Sequence, residues 1–271
     1  MSRGPKKGVK ILKKWVSYAS GITGRSLGLI LLLIIWEIAP RAGWVNIAYI
    51  SPPSKVFQAL VALLNGGDLW VHTANSLKRA LAGLGAAVLI GTVCGIFIGW
   101  FRRVENALDF TFQTFRQMSA FALFPIFILL FGIGEVSKIV IVFWACLWPV
   151  LLNTINGVRN VDHVLIDSAK SMGASHTFIF TKVVLPAAAP AIFTGIRLGG
   201  SYAIMAIVAA EMIGAHSGLG YLVLYSQETF KIPEMYAAIV SLAVMGLGLN
   251  YFLAFLESRA AGWKRYDSAD A

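Results

Sequence analysis

Six stretches of the chain are apolar enough, and fully or nearly long enough, to cross a bilayer, and nothing else in the sequence limits the fold as tightly. They run over 27–40, 79–101, 112–132, 137–157, 190–214 and 236–256. A membrane-crossing helix needs about 20 mostly apolar residues. The expectation is therefore an all-α integral membrane protein with six transmembrane helices. The first stretch is short and holds Glu37 and Pro40. It runs into Trp36-Glu37 without a small-residue cleavage site, so it reads as a span rather than a removed leader. A mean hydropathy of +0.73 with 13% charged residues excludes an ordinary soluble domain.

One island of small and polar residues interrupts this pattern. It lies between the span ending near Gly157 and the span starting near Pro190, at about 158–189. That is long for a connection between membrane helices, and long ordered loops are usually functional. Its composition specifies two short helices and a turn. Asp162 is placed to cap the first helix, Gly173 to end it in left-handed backbone, and Ser175 to cap the second. Pro186 is expected to stop the second before the next span. Ala169 and Gly173 are four residues apart and would share a helix face.

The basic residues orient the chain. Seven precede the first span, from Arg3 to Arg25; Arg102 and Arg103 follow the second; Arg159, Lys170 and Lys182 lie in the polar island; and Arg259, Lys264 and Arg265 follow the last span. Six spans put all of these on one side, the cytoplasmic one by the positive-inside rule. The other side carries Arg41, Lys55, Lys78, Arg79, Lys138 and Lys231. The net charge of +10 thus reads as topology and lipid contact. Nucleic-acid binding would need aromatics interleaved with an exposed basic face, and none is seen. The basic segment 1–26 reads either as an amphipathic helix on the anionic leaflet or as a solvated tail; residues 261–271 form a second cytoplasmic tail.

The sequence has no Walker A run, nucleophile elbow, His-Glu-x-x-His, Cys-x-x-Cys or zinc spacing. Any ATP hydrolysis must come from another chain. Cys94 and Cys146 fall in apolar spans and read as buried free thiols. Gly91, Gly95 and Gly99 make a smooth ridge on the second span, and Gly195 and Gly199 another on the fifth. Such ridges allow close helix approach, for static packing or for helices that slide past each other. Pro125 and Pro149 can kink spans three and four. Charges inside a membrane cost about 2.5–3.5 kcal/mol each on insertion scales, which singles out Glu37, Arg116, Arg197 and Glu211. Arg116 and Arg197 read as snorkelling to the cytoplasmic interface. Glu211, near the outer end of span five, could cap or gate an outer mouth, or pair with Lys138 or Lys231.

Asp167-Ser168-Ala169, Gly173 after three residues, Val183 after nine more, and Leu185-Pro186 resemble the EAA motif of bacterial ABC-importer permeases, with Asp for Glu and Ser for the first Ala. Other segments fit the same family: Ser51-Pro52-Pro53-Ser54, Asn75 to Arg79, Phe131 to Lys138, Gly195-Ile196-Arg197-Leu198, Ala209-Ala210-Glu211 and Gly218-Leu219-Gly220. Together they look like the nitrate, sulfonate, taurine and bicarbonate branch, which also holds thiamine-precursor importers. The resemblance covers about 27–260. It implies a type I importer permease domain over 27–260 in a bacterial inner membrane, with both termini cytoplasmic and a coupling loop at about 158–189. It also implies partners: two copies of a cytoplasmic ATPase, which hold ATP and Mg; a second permease subunit, giving a homodimer or a pseudo-dimer with a paralogue; and a periplasmic or lipid-anchored binding protein. This chain itself would bind no cofactor. The ATPase-coupling residues it implies are Asp167, Ser168, Ala169, Met172, Gly173, Val183, Leu185 and Pro186, with Ala169 and Gly173 entering the ATPase groove.

One departure bears on the pathway. After Arg116 this branch often has Pro-x-Pro-Pro and then Trp, whereas this chain runs Gln117 to Phe124 and is rich in Phe. Trp144, Trp148, Asn153 and Asn156 recur at helical spacing along span four, and Tyr202 and Met205 could meet them from span five. The candidate pathway residues are Arg116, Phe124, Trp144, Trp148, Asn153, Tyr202, Met205 and Glu211; the alternative is aromatics facing lipid. An aromatic wall suits an organic anion better than bare nitrate. The expected function is ATP-driven uptake of a small anionic or zwitterionic solute by alternating access. Rivals are a thiamine precursor carried by the same machinery and an ion-driven secondary transporter. The latter calls for broken-helix inverted repeats and an ionisable midplane site, neither of which the sequence displays. A membrane enzyme lacks a catalytic cluster.

Overall fold

The computed structural model describes residues 28, 30–46 and 49–260, and the regular structure among them is helical. The basic segment 1–26 and the tail 261–271 lie outside the described residues. Four helices are long and apolar enough to cross a membrane: α3 (Asp68–Trp100), α6 (Glu135–Arg159), α9 (Leu185–Met212) with the residues just before it, and α11 (Ile232–Ala260). They correspond to the expected second, fourth, fifth and sixth spans. The expected first span is seen as helix α1 over 30–41. Two short helices were not foreseen: α2 (Pro53–Gly66) and α10 (Leu219–Glu228). They pack with α3 and α11 around Leu69, Leu219, Leu222 and Leu242.

The expected third span, 112–132, is not one helix. Helix α4 (Arg102–Gln117) starts ten residues early, and α5 (Phe124–Phe131) is a separate piece. Met118 turns to extended backbone and ends α4. Pro125 falls in the first turn of α5, where its missing N–H does no harm. Hydropathy cannot register the break because residues 118–124 are themselves apolar.

Helix α6 is the axis of the fold, gripped on two sides by glycines. A Cβ on Gly95 of α3 would lie 2.7 Å from Thr154 Cβ, and one on Gly83 would lie 2.6 Å from Val142 Cβ. Gly91 and Gly99 face Val150 and Val158 in the same way. From α9, a Cβ on Gly195 would meet Asn153 Cβ at 2.8 Å. At Gly83, Gly95 and Gly195 the contacts are closer than real side chains reach, so only glycine lets the backbones approach this far; at Gly91 and Gly99 a Cβ would be tight, at 3.1 and 3.0 Å. Ala80, Ala87, Ile141, Cys146, Ala203 and Ile207 fill the space between the three helices. Cys146 is buried as expected, its thiol donating to the Gly199 carbonyl oxygen at 3.2 Å, but Cys94 is exposed on the outer side of α3.

Candidate functional site

The polar island folds as a helical hairpin. The first arm is α7 (His163–Ser171). Asp162 caps it by accepting from Val164 N at 2.9 Å. The end is a Schellman turn: Ala174 N donates to Ala169 O (3.1 Å) and Gly173 N to Lys170 O (2.9 Å), with Gly173 at φ +78°. Ser175 Oγ accepts from Phe178 N at 3.3 Å and starts α8 (His176–Phe178). These three assignments were legible in sequence. Pro186 is a correction, because it stops nothing. Residues Ile179–Val184 form a π-helical turn, and α8, this turn and α9 make one helix over His176–Met212. The carbonyl four residues before Pro186 belongs to Lys182, inside the wider π turn, which relieves the clash that would break an α-helix.

The two faces of α7 differ. Ala169 is buried (4% exposed) against Val158, Val161, Ile179 and Ala188. It therefore cannot enter a groove on another protein, which corrects the expectation for that residue. Val183, Leu185 and Pro186 are half-buried and support the hairpin from behind. Asp167, Ser168 and Gly173 are exposed, and Asp167 pairs with Lys170 at 3.3 Å. The outward apolar surface consists of Val164, Leu165 and Met172, the last 80% exposed.

A second site forms at the break between α4 and α5. A cavity of about 620 Å³ is lined by Arg116, Gln117 and the break residues 118–121, by Trp144, Trp148, Asn153 and Asn156 of α6, and by Tyr202, Met205 and Ala206 of α9. Six of the eight candidate pathway residues thus share one space. Trp148 stacks on Phe115 (6.1 Å, 1°) and meets Trp144 edge-on at 5.2 Å. The indole N–H groups of both tryptophans have no hydrogen-bond partner among the described residues. Arg116 has no ion-pair partner among them either. Its side chain lines the same space as Trp144 and Trp148, halfway along α6. Non-helical backbone and an unpaired cation at that depth are tolerated only beside water or inside protein. Phe124 is excluded from the cavity and packs in the core with Leu84 and Ile207. A second space of about 570 Å³ between α2, α3 and α11 is almost wholly apolar and has no charged residue in its wall.

Glu211 lies in the last turn of α9, at the expected end of the fifth span, but away from the cavity. It is 1% exposed and touches neither Lys138 nor Lys231. Its carboxylate accepts from Ser76 Oγ (2.7 Å), Arg79 Nη1 (2.7 Å) and Gly220 N (3.0 Å). Arg79, assigned to a loop from sequence, lies over three turns inside α3 and is itself 4% exposed. Its remaining donors hold Glu135 in a fork at 2.6 and 2.7 Å and Ser217 O at 2.6 Å. The segments around Ser76, Glu135, Glu211 and Gly218, scattered in sequence, converge on this cluster. Elsewhere Arg197 pairs with Glu257 of α11 at 3.1 Å, and Glu37 pairs with Arg41 and accepts from Ser54 Oγ at 2.8 Å.

Nothing here is built for covalent chemistry, and among the described residues no group of His, Cys, Asp and Glu could hold a metal ion. The cavity can take a small solute, and the hairpin can take a partner. Residues 87–262 match the family described as the binding-protein-dependent transport system inner membrane component. The taurine transport system permease protein of Escherichia coli (strain K12) is 33% identical over 256 residues, covering 92% of this chain and 93% of that one. The nitrate import permease protein of a Synechocystis strain is 31% identical, covering 89% and 90%. The inward-facing MetNI methionine ABC transporter shares the fold, with a TM-score of 0.58 and 17% identity over 69% of this chain and 93% of that one. The chain belongs to this permease family: it is the membrane component of an ABC importer, a transport subunit rather than an enzyme, and it works with an ATPase and a substrate-binding protein.

Proposed function

We propose that the chain forms the solute pathway of an importer for a small organic anion or zwitterion, of the taurine and sulfonate kind. The observation that carries this is the cavity at the α4–α5 break, with Arg116 as its cation and Trp144 and Trp148 as its apolar wall. A guanidinium can take a sulfonate or carboxylate bidentately. Asn153, Asn156 and Tyr202 supply further polar groups, and the indole rings cover the organic part. A bare nitrate would leave those rings without a use, and a cationic heterocycle would meet Arg116 with like charge. Two copies of the chain, in the bacterial inner membrane with both termini cytoplasmic, sit on two ATPases. The hairpin end faces the cytoplasm, where Val164, Leu165, Ser168 and Met172 dock into the motor and Asp167 and Gly173 shape the tip. The motor's closure tilts α6 and α9 through the hairpin and switches access to the cavity.

A broken helix and a mid-depth ionisable residue are also marks of ion-driven transporters, so the energy source is the deciding test. Uptake of labelled taurine into vesicles holding the complete complex should need ATP and the motor chain, and should survive collapse of the proton gradient. Arg116→Gln should cut that uptake at least tenfold while the complex still assembles. Uptake that follows the gradient and ignores ATP would overturn the reading.

A further inference from the structure

Helix α4 carries a polar face that the fold leaves uncovered. Arg102, Asn106, Asp109, Gln113 and Arg116 recur at alternating steps of four and three, with Gln117 beside the last. At about 100° per residue they fall in one stripe, and all six are exposed. The other side of the helix does the packing. Val104, Leu108 and Phe112 press on Leu151 and Ile155 of α6, and Glu105 pairs with Arg159 at the end of α6 at 2.6 Å. That pair fixes the depth of the stripe. It starts at the hairpin end of α6 and climbs to Arg116, which lines the cavity beside Trp148 in the middle of α6. From Arg102 to Arg116 it is about 21 Å long at about 1.5 Å per residue. Asp109 forms no ion pair, and Asn106 and Gln113 no side-chain hydrogen bond, among the described residues. Polar groups without partners are kept out of lipid at this depth. Beside the stripe the surface changes: Phe110 is 82% exposed, Ala107 has no polar side chain, and the Thr114 hydroxyl is donated to Phe110 O at 2.9 Å.

We infer that this stripe is the wall of a water-filled exit from the cavity to the cytoplasm, and that Asp109 is a specificity-determining residue that keeps cytoplasmic anions from climbing back to Arg116. This rests on the importer reading above. Arg116 is the one charged residue in the cavity wall. What draws an anionic solute in from outside would equally draw small anions up from the cytoplasm. Asp109 stands two turns below Arg116 on the same stripe, at about 10 Å along the axis, and an anion on that route passes its carboxylate. The negative field there disfavours rebinding after release. Asn106 and Arg102 carry the polar wall on to the cytoplasmic mouth.

The test uses inside-out membrane vesicles holding the complete complex, with Cys94→Ala as the background because Cys146 is buried. Single cysteines at Asn106 and Gln113 are reacted from the cytoplasmic face with an anionic reagent, sulfonatoethyl methanethiosulfonate, and a cationic one, trimethylammonioethyl methanethiosulfonate. Both positions should react at least tenfold faster than cysteines at Ala107 and Thr114. Equal rates on the two faces overturn the exit, and so does an unreactive stripe, as dry contact with a second copy or with lipid would give. At Gln113→Cys, Asp109→Asn should speed the anionic reagent and slow the cationic one, each about threefold for a charge about 6 Å away in water. Asp109→Lys should widen both shifts. Rates that move together, as a structural change would cause, or that do not move, overturn the role of Asp109. In proteoliposomes taking up labelled taurine, ethanesulfonate loaded on the cytoplasmic side should inhibit Asp109→Asn at an about twofold lower concentration than wild type; an unchanged concentration speaks against Asp109 in the same way. The labelling needs neither ATP nor solute. Absence of ATP-driven uptake overturns the importer reading, whereas absence of stripe labelling overturns the exit alone.

Discussion

Met172→Asp should detach the motor without disturbing the permease. Met172 stands at the end of α7 with four-fifths of its surface exposed, so nearly the whole side chain is available for burial by a partner. Full burial of a methionine is worth about 1.5–3 kcal/mol, and the exposed share brings that to about 2 kcal/mol. At about 1.4 kcal/mol per tenfold, the Kd for the ATPase should rise about 30-fold, and more if the new carboxylate is desolvated. The fold should change by no more than about 0.5 kcal/mol, as for other exposed positions. Ala169→Asp makes the contrast. Ala169 lies three residues away on the same helix but faces Val158, Ile179 and Ala188, so its carboxylate would be buried without a partner. That variant should lose thermal stability before any partner is added. The assay is titration of purified ATPase onto permease in nanodiscs, with melting temperature recorded in parallel. If Met172→Asp melts normally and binds the ATPase within threefold of wild type, the outward face of α7 is not the docking surface.

Two further outcomes follow from packing and topology. Gly95→Ala should lower stability by about 1–3 kcal/mol, as overpacked cores do, because its Cβ meets Thr154 at 2.7 Å and Leu151 O at 3.0 Å; Gly91→Ala, first meeting Val150 at 3.1 Å, should lose less, and melting curves in detergent compare them. A cysteine at Ser171 should react with an impermeant thiol reagent from the cytoplasm only and one at Ser217 from outside only; labelling of both from one side would contradict the topology.

What could be read from the sequence was what local chemistry decides. The hairpin's caps were legible because Asp162, Gly173 and Ser175 each act within a few residues of themselves. Four spans were legible because their apolar runs are long and uninterrupted. The cavity residues on α6 were legible as a helical repeat of Trp and Asn. What failed depended on distant partners. Arg79 looked like a loop residue because its counterions, Glu135 and Glu211, lie 56 and 132 positions away. The third span was taken as one helix, whereas Arg116 stands at the end of α4, beside the break before α5. Ala169 was assigned to a groove by its size, but a small residue is equally what a helix needs to press against its own neighbours.

The π turn at Ile179–Val184 sets an angle. A π turn holds one residue more than the α-helix it replaces, and each residue of an α-helix advances about 100° at 3.6 per turn. The extra residue therefore fixes the phase of α8 against α9, and with it the compass direction in which α7 presents Val164 and Met172. Loss of one residue from this stretch would leave every cap, span and cavity residue in place and still aim the hairpin about a quarter-turn away from its motor. The reading frame between Ser175 and Pro186 thus acts as an index between a membrane helix and a soluble partner, encoded in a residue count rather than in any one side chain.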